Sequence, residues 1–485
     1  MQILLISANR EKTPYPVSPI GLAYIASALI KDNHDVEILD LCFAEDVISS
    51  LKQTIARFKP DIIGLSIRNI DNLTYPKSVF YLPYIKSVVD EIKQTCLSRR
   101  DGRQVDIPLV MGGSGFSLFP EGVLRYTGLE FGIVGEGENG FCEFVKRQER
   151  NKWVYDIPNL AYLKGDRFIQ NPIAFTSGFS KPDRLFLDNE RYFQFGGMAN
   201  IQTKRGCPFK CIYCTYPYLD GSRIRCRDVD DIVDEVEELV NKYGIDYIFF
   251  VDDIFNQPVG HAMDICRGII KRGLKINWTC FATPKGMTPE LLSLMKDAGC
   301  MGVEFGTDAA SAETLRSMGK SFTPDDVRRV SIMCDDAGLE AAHYLIFGGP
   351  GETEKTLEES FAFMDENNPR AVIAMTGLRI YPNTGLEKMS LAQGVIKNGE
   401  DILHPHFYIS PAIGEERLLS MVKDHAISQP NWIVPGLDIR NSEETMTVLR
   451  KFGNRGPLWN MLKKNVKYQS SNVKTSKSKD YDVSK

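Results

Sequence analysis

The stretch of sequence that decides the fold is MQILLISANREKTPYPVSPIGLAYIASALIKDNHDVEILDL, residues 1–41. A short apolar run, MQILLISA, is followed by a segment with helical periodicity, IGLAYIASALIKD, and then by a second short run, DVEILDL. Short buried strands that alternate with helices are typical of a parallel sheet with helices on both faces. Because the alternation continues to about residue 145, the sequence predicts a doubly wound α/β domain over residues 1–145.

Four loops that follow strands of this domain are rich in glycine and small hydroxyl residues. They read YPVSPIGL at 15–22, SIRN at 66–69, GGSGFS at 112–117 and GEGE at 135–138. Ligands of open α/β sheets bind beyond the carboxyl ends of the strands, and small residues there let the backbone approach a large polar ligand. We therefore expect a ligand site formed by these loops.

A second alternating series begins near residue 198. Six strand-like runs, from NIQTKR to AVIAMTGLRIY, alternate with helical segments such as DDIVDEVEELVNKYG. This pattern predicts a partial (β/α)6 barrel over 196–400, with its chemistry at the C-terminal ends of the strands. The remaining boundaries are a connector at 146–195, a helical C-terminal extension at 401–466 and a Ser/Lys-rich disordered tail at 467–485.

Composition narrows the classes of function. The net charge is -5 and no basic stripe precedes the extreme C-terminus, so nucleic acid is not expected as a partner. Eleven cysteines, an odd count, in a chain that opens on a strand-like run indicate a reducing cytoplasm. No apolar stretch approaches the ~18 to 20 residues of a membrane-spanning helix, so no integral membrane segment is expected.

Three of these cysteines lie in KRGCPFKCIYCTYP, directly after the first strand of the second series. Cys207, Cys211 and Cys214 have the spacing C-x3-C-x2-C. Three thiolates on a cubane iron-sulfur cluster leave one iron open to a ligand that is not protein. The alternative is a zinc site, but zinc normally takes four ligands and the nearest further thiol, Cys226, is not at knuckle spacing.

This motif resembles the signature of the radical SAM superfamily. The resemblance implies that a 4Fe-4S cluster on the three cysteines binds S-adenosylmethionine (SAM) through its open iron and yields a 5'-deoxyadenosyl radical. Tyr213 stands where the family has an aromatic residue whose backbone contacts the adenine. Asp252 and Asp253 end the second strand, where the family keeps groups for the methionyl amine; Asp252 is favoured, and a helix-capping role is the alternative.

Further SAM contacts are implied by the same resemblance. Glu304, in GVEFGTD, lies among apolar neighbours, where an unpaired charge is costly, and is expected near SAM in the barrel lumen. Gly348 and Gly349 belong to LIFGGPGET, which resembles the family's glycine-rich strand end beside the adenine; a plain strand-to-helix turn is compatible with this role. Arg379, in LRIYPNTGL, is expected to pair with a carboxylate, with a structural ion pair as the alternative.

A doubly wound, Rossmann-like domain before such a barrel resembles the cobalamin-binding subgroup of radical SAM enzymes. The four loops match that subgroup in order. The matching residues are Ser18, Pro19, Gly21 and Leu22 in the first loop, Ser66 and Arg68 in the second, Gly112, Gly113 and Ser114 in the third, and Gly135, Glu136, Gly137 and Glu138 in the fourth.

One element departs from other cobalamin proteins. The D-x-H-x-x-G motif that supplies an axial histidine to cobalt is absent after the first strand, and Cys42 lies where a histidine would be after the second. The resemblance therefore implies cobalamin bound without a protein imidazole. The alternative for this domain is a flavodoxin-like module that binds no cofactor or a nucleotide.

The resemblance implies methyl transfer to an unactivated carbon, or to phosphorus, of a small-molecule or lipid substrate. One SAM methylates reduced cobalamin, a second supplies the radical, and an electron donor such as flavodoxin or ferredoxin reduces the cluster. Two alternatives stay open: a non-methylating reaction such as cyclisation, ring contraction or oxidation, and a redox or cobalamin sensor without turnover.

Overall fold

The computed structural model describes residues 1–97, 107–440, 448–462 and 464. The first domain is built on a seven-stranded sheet of order β2-β1-β3-β4-β5-β6-β7. Strands β1 to β5 are parallel, and the β6-β7 hairpin is added antiparallel to β5. The strands are β1 (Gln2–Ser7), β2 (Asp35–Asp40), β3 (Ile62–Ser66), β4 (Leu109–Gly112), β5 (Phe131–Ile133), β6 (Leu160–Lys164) and β7 (Arg167–Gln170). This confirms the predicted doubly wound sheet.

Helices cover both faces of this sheet, which explains why β1 is apolar along its length. Ile3 and Leu5 pack on one face with α1 and α6, whereas Leu4 and Ile6 pack on the other with α2, α3 and α5. The helices are α1 (Ile20–Lys31), α2 (Val47–Phe58), α3 (Leu82–Leu97), α4 (Ser114–Leu118), α5 (Pro120–Thr127) and α6 (Gly137–Glu149).

The prediction of a separate connector at 146–195 is wrong in one respect. Helix α6 runs past residue 145, and the β6-β7 hairpin belongs to the first sheet. The reason is burial, because Leu160 and Ala161 of β6 are fully buried and must pair beside β5. Only the segment after β7 leads from one domain to the other.

The second sheet has seven parallel strands in the order β18-β15-β14-β13-β12-β11-β8. Six of them match the predicted barrel strands, and β18 is added from the C-terminal extension. The strands from residue 199 onward are β8 (Ala199–Ile201), β9 (Lys204–Arg205), β10 (Arg225–Cys226), β11 (Tyr247–Phe250), β12 (Asn277–Ala282), β13 (Cys300–Asp308), β14 (Glu340–Phe347), β15 (Ala371–Thr376), β16 (Leu378–Arg379), β17 (Phe407–Tyr408) and β18 (Trp432–Ile433).

The extension at 401–466 is therefore not purely helical. It contains one long helix, α16, but also β17, which pairs with β16, and β18, which pairs with β15. The second set of helices is α7 (Asn189–Gly196), α8 (Tyr216–Leu219), α9 (Val229–Tyr243), α10 (Val259–Lys271), α11 (Pro289–Asp297), α12 (Ala312–Ser317), α13 (Pro324–Asp336), α14 (Glu354–Asn367), α15 (Gly385–Ala392) and α16 (Glu415–Ser428).

Two predictions concern regions outside this scaffold. The disordered tail predicted at 467–485 lies outside the described residues. Within the described ranges, every helix is too short or too polar to cross a lipid bilayer.

Candidate active site

The three motif cysteines lie in one loop at the carboxyl end of β8. This cluster loop, residues 206–224, is closed at its base by the antiparallel pair β9 and β10. Cys207 is buried and Cys211 and Cys214 are half-buried. The Cys207 amide donates to Gly221 O at 3.0 Å, and the Cys214 amide donates to Cys211 O at 3.1 Å. The loop therefore folds back so that the three thiols share one neighbourhood.

Glycine is required at the entry to this loop. Gly206 has φ +92, and a Cβ there would lie 2.2 Å from Arg223 O. A side chain would be strained by the backbone angle and would also clash with the returning strand. Gly206 thus lets the chain turn sharply before Cys207.

Burial makes the thiols poor thiolates without a metal. It raises the pKa of Cys207 to about 11 and that of Cys214 to about 12, and neighbouring thiols add to both effects. Among the described residues, no three Cys, His, Asp or Glu side chains converge as they would on a single ion. Zinc ligands meet at one ion, whereas thiolates of a cubane bind different irons, so this arrangement fits a cluster.

The side chain of Tyr213, the predicted adenine contact, is hydrogen-bonded to a buried ion pair. Its hydroxyl donates to Asp308 at the end of β13, and Lys320 Nζ pairs with the same carboxylate. Lys320 also lowers the pKa of Cys211, against the larger effect of burial. These contacts fix the Tyr213 ring; the adenine contact itself stays a prediction.

Asp252 was favoured for the methionyl amine, and the structure corrects that choice. Its two oxygens already accept from the Thr203 amide and hydroxyl, at 2.6 and 2.5 Å, and from the amide and Nζ of Lys204, at 3.1 and 3.0 Å. Four donors saturate this 1 % exposed carboxylate. Asp252 therefore holds the chain that enters the cluster loop.

The adjacent acid, Asp253, fits the amine better. Its Oδ2 atom is buried and has no hydrogen-bond partner among the described residues. Burial raises its pKa well above the ordinary value, and Asp220 and Asp252 add to the effect. Its charge also acts on Cys207 and Cys214, which places it beside the cluster loop. An ammonium group would satisfy this orphaned oxygen.

Glu304 faces the lumen as predicted, but it lies far from the cluster loop. It is four residues before Asp308 on β13, or about 13 Å along a strand. Its Oε1 accepts from Trp459 Nε1 at 3.0 Å and its Oε2 from the Tyr344 hydroxyl at 2.7 Å. Both oxygens of Glu304 are therefore engaged within the chain, and the expected contact with SAM stays a prediction.

Gly348 and Gly349 follow β14. Neighbouring side chains pack so closely against both positions that small residues are required there. The Gly348 amide donates to Glu352 at 2.9 Å. A Cβ on Gly348 would lie 2.7 Å from Leu418, and one on Gly349 would lie 2.8 Å from Met318. This is the strand-to-helix turn named as the compatible alternative, and the adenine contact stays a prediction.

Arg379 is corrected to the structural ion pair. Its Nε donates to Asp71 Oδ2 at 3.0 Å, and its Nη2 donates to the carbonyls of Ile402 and Leu403 at 3.0 and 3.1 Å. Both charged side chains are buried. Arg379 therefore joins the first domain to the barrel. Its guanidinium has no free pair of N–H groups to bind the SAM carboxylate.

A cavity of about 500 Å³ lies between the two domains. All thirteen residues that the sequence predicted for the four loops line it. The opposite wall belongs to the barrel and the cluster loop, and includes Asn200, Tyr216, Asp220, Phe249 and Phe281. The structure thus brings four loops that are far apart in sequence to one space.

The cavity meets the requirements of a large polar cofactor. Among the described residues, Asn9 Nδ2 and Ser18 Oγ of the lining are buried without a hydrogen-bond partner. A Cβ on Gly21 would meet nothing within 4 Å, while Gly113 has φ +93 and a Cβ there would lie 2.4 Å from Ile67 O. The lining residues include no histidine. The cradle therefore fits cobalamin held by backbone and small side chains.

Two of the predicted residues make interdomain ion pairs that the sequence did not indicate. Glu136 pairs with Arg225 at 2.5 Å, and Glu138 pairs with Arg205 at 2.6 Å. Both arginines lie in the strand pair that closes the cluster loop. These ion pairs could not be predicted from the sequence, because Glu138 and Arg205 are 67 positions apart and no local pattern links them.

Comparison with known proteins agrees with this arrangement. Residues 201–364 match the model of the radical SAM superfamily, and residues 6–145 match the B12 binding domain. The chain is 28% identical to an uncharacterized methyltransferase of Pyrococcus horikoshii, over 82% of this chain and 84% of that protein. It is 25% identical to tryptophan 2-C-methyltransferase of Streptomyces laurentii, over 81% and 74%.

One solved structure shares the fold across almost the whole chain. It is the radical S-adenosylmethionine methyltransferase TsrM from Kitasatospora setae, with cobalamin and a [4Fe-4S] cluster bound. The TM-score is 0.83 at 23% identity, and the match covers 94% of this chain and 96% of that one. The order of the two domains is thus the same in both.

Proposed function

Because this chain belongs to the cobalamin-binding group of the radical SAM superfamily, we propose that it methylates a carbon or phosphorus centre of a small-molecule or lipid substrate. Two relatives named as methyltransferases cover more than four fifths of the chain, which supports methyl transfer over cyclisation, ring contraction or oxidation.

The single observation that carries the proposal is the shared cavity. When bound, the cluster with SAM and cobalamin supply the radical and the methyl group. The chain itself contributes three thiolates, Asp253 for the methionyl amine and the four loops that hold cobalamin. Phe249 and Phe281 line the same cavity, so a substrate there would be shielded from water and placed between the two cofactors.

The test uses the anaerobically reconstituted protein with methyl-labelled SAM, a reductant and candidate substrates. Label in the product supports methyl transfer, and product without label would instead establish a non-methylating reaction. Reduction that yields no 5'-deoxyadenosine with any substrate would favour the sensor.

The cluster assignment has a matched control within the chain. Serine at Cys207, Cys211 and Cys214 should abolish iron binding, because each thiolate is a ligand. Cys226→Ser removes an exposed thiol on β10 and should leave the iron content unchanged. Zinc in place of iron in the native protein, measured by elemental analysis, would contradict the assignment.

We also propose an electron donor and a cellular compartment for this protein. A flavodoxin or ferredoxin would donate the electron, and the protein would work in the reducing cytoplasm, which is supported by its odd count of eleven cysteines. Reduction of the cluster by a purified flavodoxin system, followed by its visible absorption, tests the first point.

A further inference from the structure

The C-terminal segment 448–462 forms the floor of the barrel lumen. It is anchored on one side by the Gly456 amide, which donates to Gly197 O at 3.0 Å, just before β8. On the other side Arg370, which precedes β15, donates to Asn460 O at 2.7 Å. Between these anchors the Trp459 side chain is buried against Ala342, Ala371 and Ile373.

Among the described residues, Arg450 lies in this floor without an acidic partner. Its side chain is 7% exposed, and its Nη1 donates to Asn454 O at 3.0 Å. Its Nε and Nη2 have no acceptor among the described residues. Burial lowers its pKa to about 10, so it is still charged at neutral pH. A buried guanidinium with two unused donors is costly unless a ligand supplies the acceptors.

Two buried hydroxyls belong to the same end of the lumen. Those of Tyr247 and Thr279 lie within reach of each other, and neither has a further partner in the described part of the chain. Tyr247 precedes Phe249 by two positions, and Thr279 precedes Phe281 by two, so each faces the same side of its strand as the phenyl ring. Both hydroxyls therefore point into the lumen below those rings.

Arg450 acts on this group and on the cavity wall. Its charge lowers the pKa of Tyr247 and of Tyr15, in each case against a larger rise from burial. Tyr15 lines the cavity between the domains. Arg450 is thus within electrostatic range both of Tyr247 at the floor and of Tyr15 on the cavity wall.

The acceptors near these donors are already used. Glu304, the acid on the neighbouring lumen wall, accepts one hydrogen bond at each oxygen, from Trp459 and Tyr344. Within the described part of the chain, the floor therefore has more hydrogen-bond donors than free acceptors, and Arg450 has no ion pair there.

The geometry points to an oxyanion subsite at the floor of the lumen, in which Arg450, Tyr247 and Thr279 bind a carboxylate or phosphoryl group of the substrate. This inference rests on the proposed function, because the occupant is the molecule to be methylated. With its anionic end at the floor, an apolar portion would pack against the rings of Phe249 and Phe281, which contact each other edge-to-face, and extend toward the cavity. The substrate class is therefore an amphipathic acid with an aromatic or aliphatic body.

The experiment compares matched probes that differ only in the head group. Binding of 3-phenylpropanoate, 3-phenylpropanamide and 2-phenylethylphosphonate to the cofactor-loaded protein is measured by titration calorimetry at pH 7. The better acid should bind about tenfold or more tightly than the amide, because a charge-assisted pair to Arg450 is lost in the amide. Whether the carboxylate or the phosphonate is preferred identifies the head group.

Three variants assign the effect to the subsite. Arg450→Gln should abolish the preference for the acid, and Tyr247→Phe should reduce it while removing only a hydroxyl. Arg455→Gln, an exposed arginine on the same segment, should keep it. Equal binding of acid and amide, failure of every probe to bind the native protein, or a preference that survives in R450Q would each overturn the inference. Transfer of methyl label by the reduced native protein to a substrate that carries no acidic group would support the proposed function while contradicting the subsite.

Discussion

Replacing Glu304 with glutamine should make the protein less stable than the native chain at pH 5 and more stable at pH 9. The Glu304 side chain is 1% exposed. Burial raises its pKa from 4.5 to about 7, although the hydrogen bonds from Trp459 and Tyr344 oppose the rise. The folded protein therefore prefers this carboxyl group in its protonated form.

The direction in which stability changes with pH follows from the number of protons that the folded and unfolded states bind. Between pH 4.5 and about 7 the folded state retains a proton that the unfolded chain has released, so the stability due to Glu304 falls as the pH rises. At 1.36 kcal/mol for each pKa unit, the full loss is about 3 kcal/mol above pH 7. Glutamine carries no charge and avoids this loss.

The substitution also has a cost at every pH. Glutamine has one acceptor oxygen, so one of the two hydrogen bonds to Glu304 is lost, at about 1 kcal/mol. About 0.8 kcal/mol of the native protein's loss has already occurred at pH 5, because the unfolded chain has released most of this proton there. We therefore expect E304Q to be only about 0.2 kcal/mol less stable at pH 5 and about 2 kcal/mol more stable at pH 9. Burial raises the pKa of Tyr15, Tyr247 and Tyr344, and that of Arg450 is about 10, so these neighbours keep their charge state over most of this range.

The assay is urea unfolding of both proteins under anaerobic conditions, followed by intrinsic fluorescence at fixed ionic strength from pH 5 to 9. The difference in unfolding free energy between variant and native protein cancels the titration of groups that both share. Glu358→Gln, at an exposed position on α14, is the control and should show no crossing. A difference that does not change with pH, or that falls as the pH rises, would refute the reasoning.

Three further predictions concern the site and the domain contact. Asp253→Asn should weaken SAM binding about tenfold with the fold intact, whereas Asp252→Asn should lower the unfolding free energy by about 3 kcal/mol because Lys204 loses its partner; calorimetry and urea unfolding separate the two. Arg379→Met should destabilise the protein by about 3 to 5 kcal/mol, and Asp71→Asn in the same chain should recover part of the loss; equal stability of single and double variants would contradict a buried interdomain pair. Gly21→Phe should block cobalamin binding, seen in the visible spectrum, while Gly260→Phe, at another position where a Cβ meets nothing within 4 Å, should not.

Most of the fold and the four binding loops could be predicted from local sequence patterns. The alternation of short apolar runs with amphipathic helices predicted both parallel sheets, because burial on both faces leaves a continuous apolar signal in each strand. The C-x3-C-x2-C spacing marked the cluster loop for the same reason: its ligands are close in sequence. LAYLKGDRFIQNP is hairpin-like in sequence, but its place in the first sheet was not predicted, and β18 was missed because two residues carry no reliable period.

The roles of individual charged residues could not be predicted in this way. Asp252 and Asp253 are adjacent and chemically equal in the sequence, and only their donors distinguish them: four for the first and none for Asp253 Oδ2. Arg379 was assigned to a ligand because its partner, Asp71, is 308 positions away.

By itself, therefore, the sequence determined the two parallel-sheet domains, the three cluster thiolates and the loops around the first sheet, all of which depend on contacts between near neighbours in the chain. The tertiary structure decided that those loops face the barrel across one cavity, which acid is free and where an unpaired arginine lies in the lumen. These features arise when segments hundreds of residues apart are buried together, and the free energy of a buried charge depends on which partner it meets there.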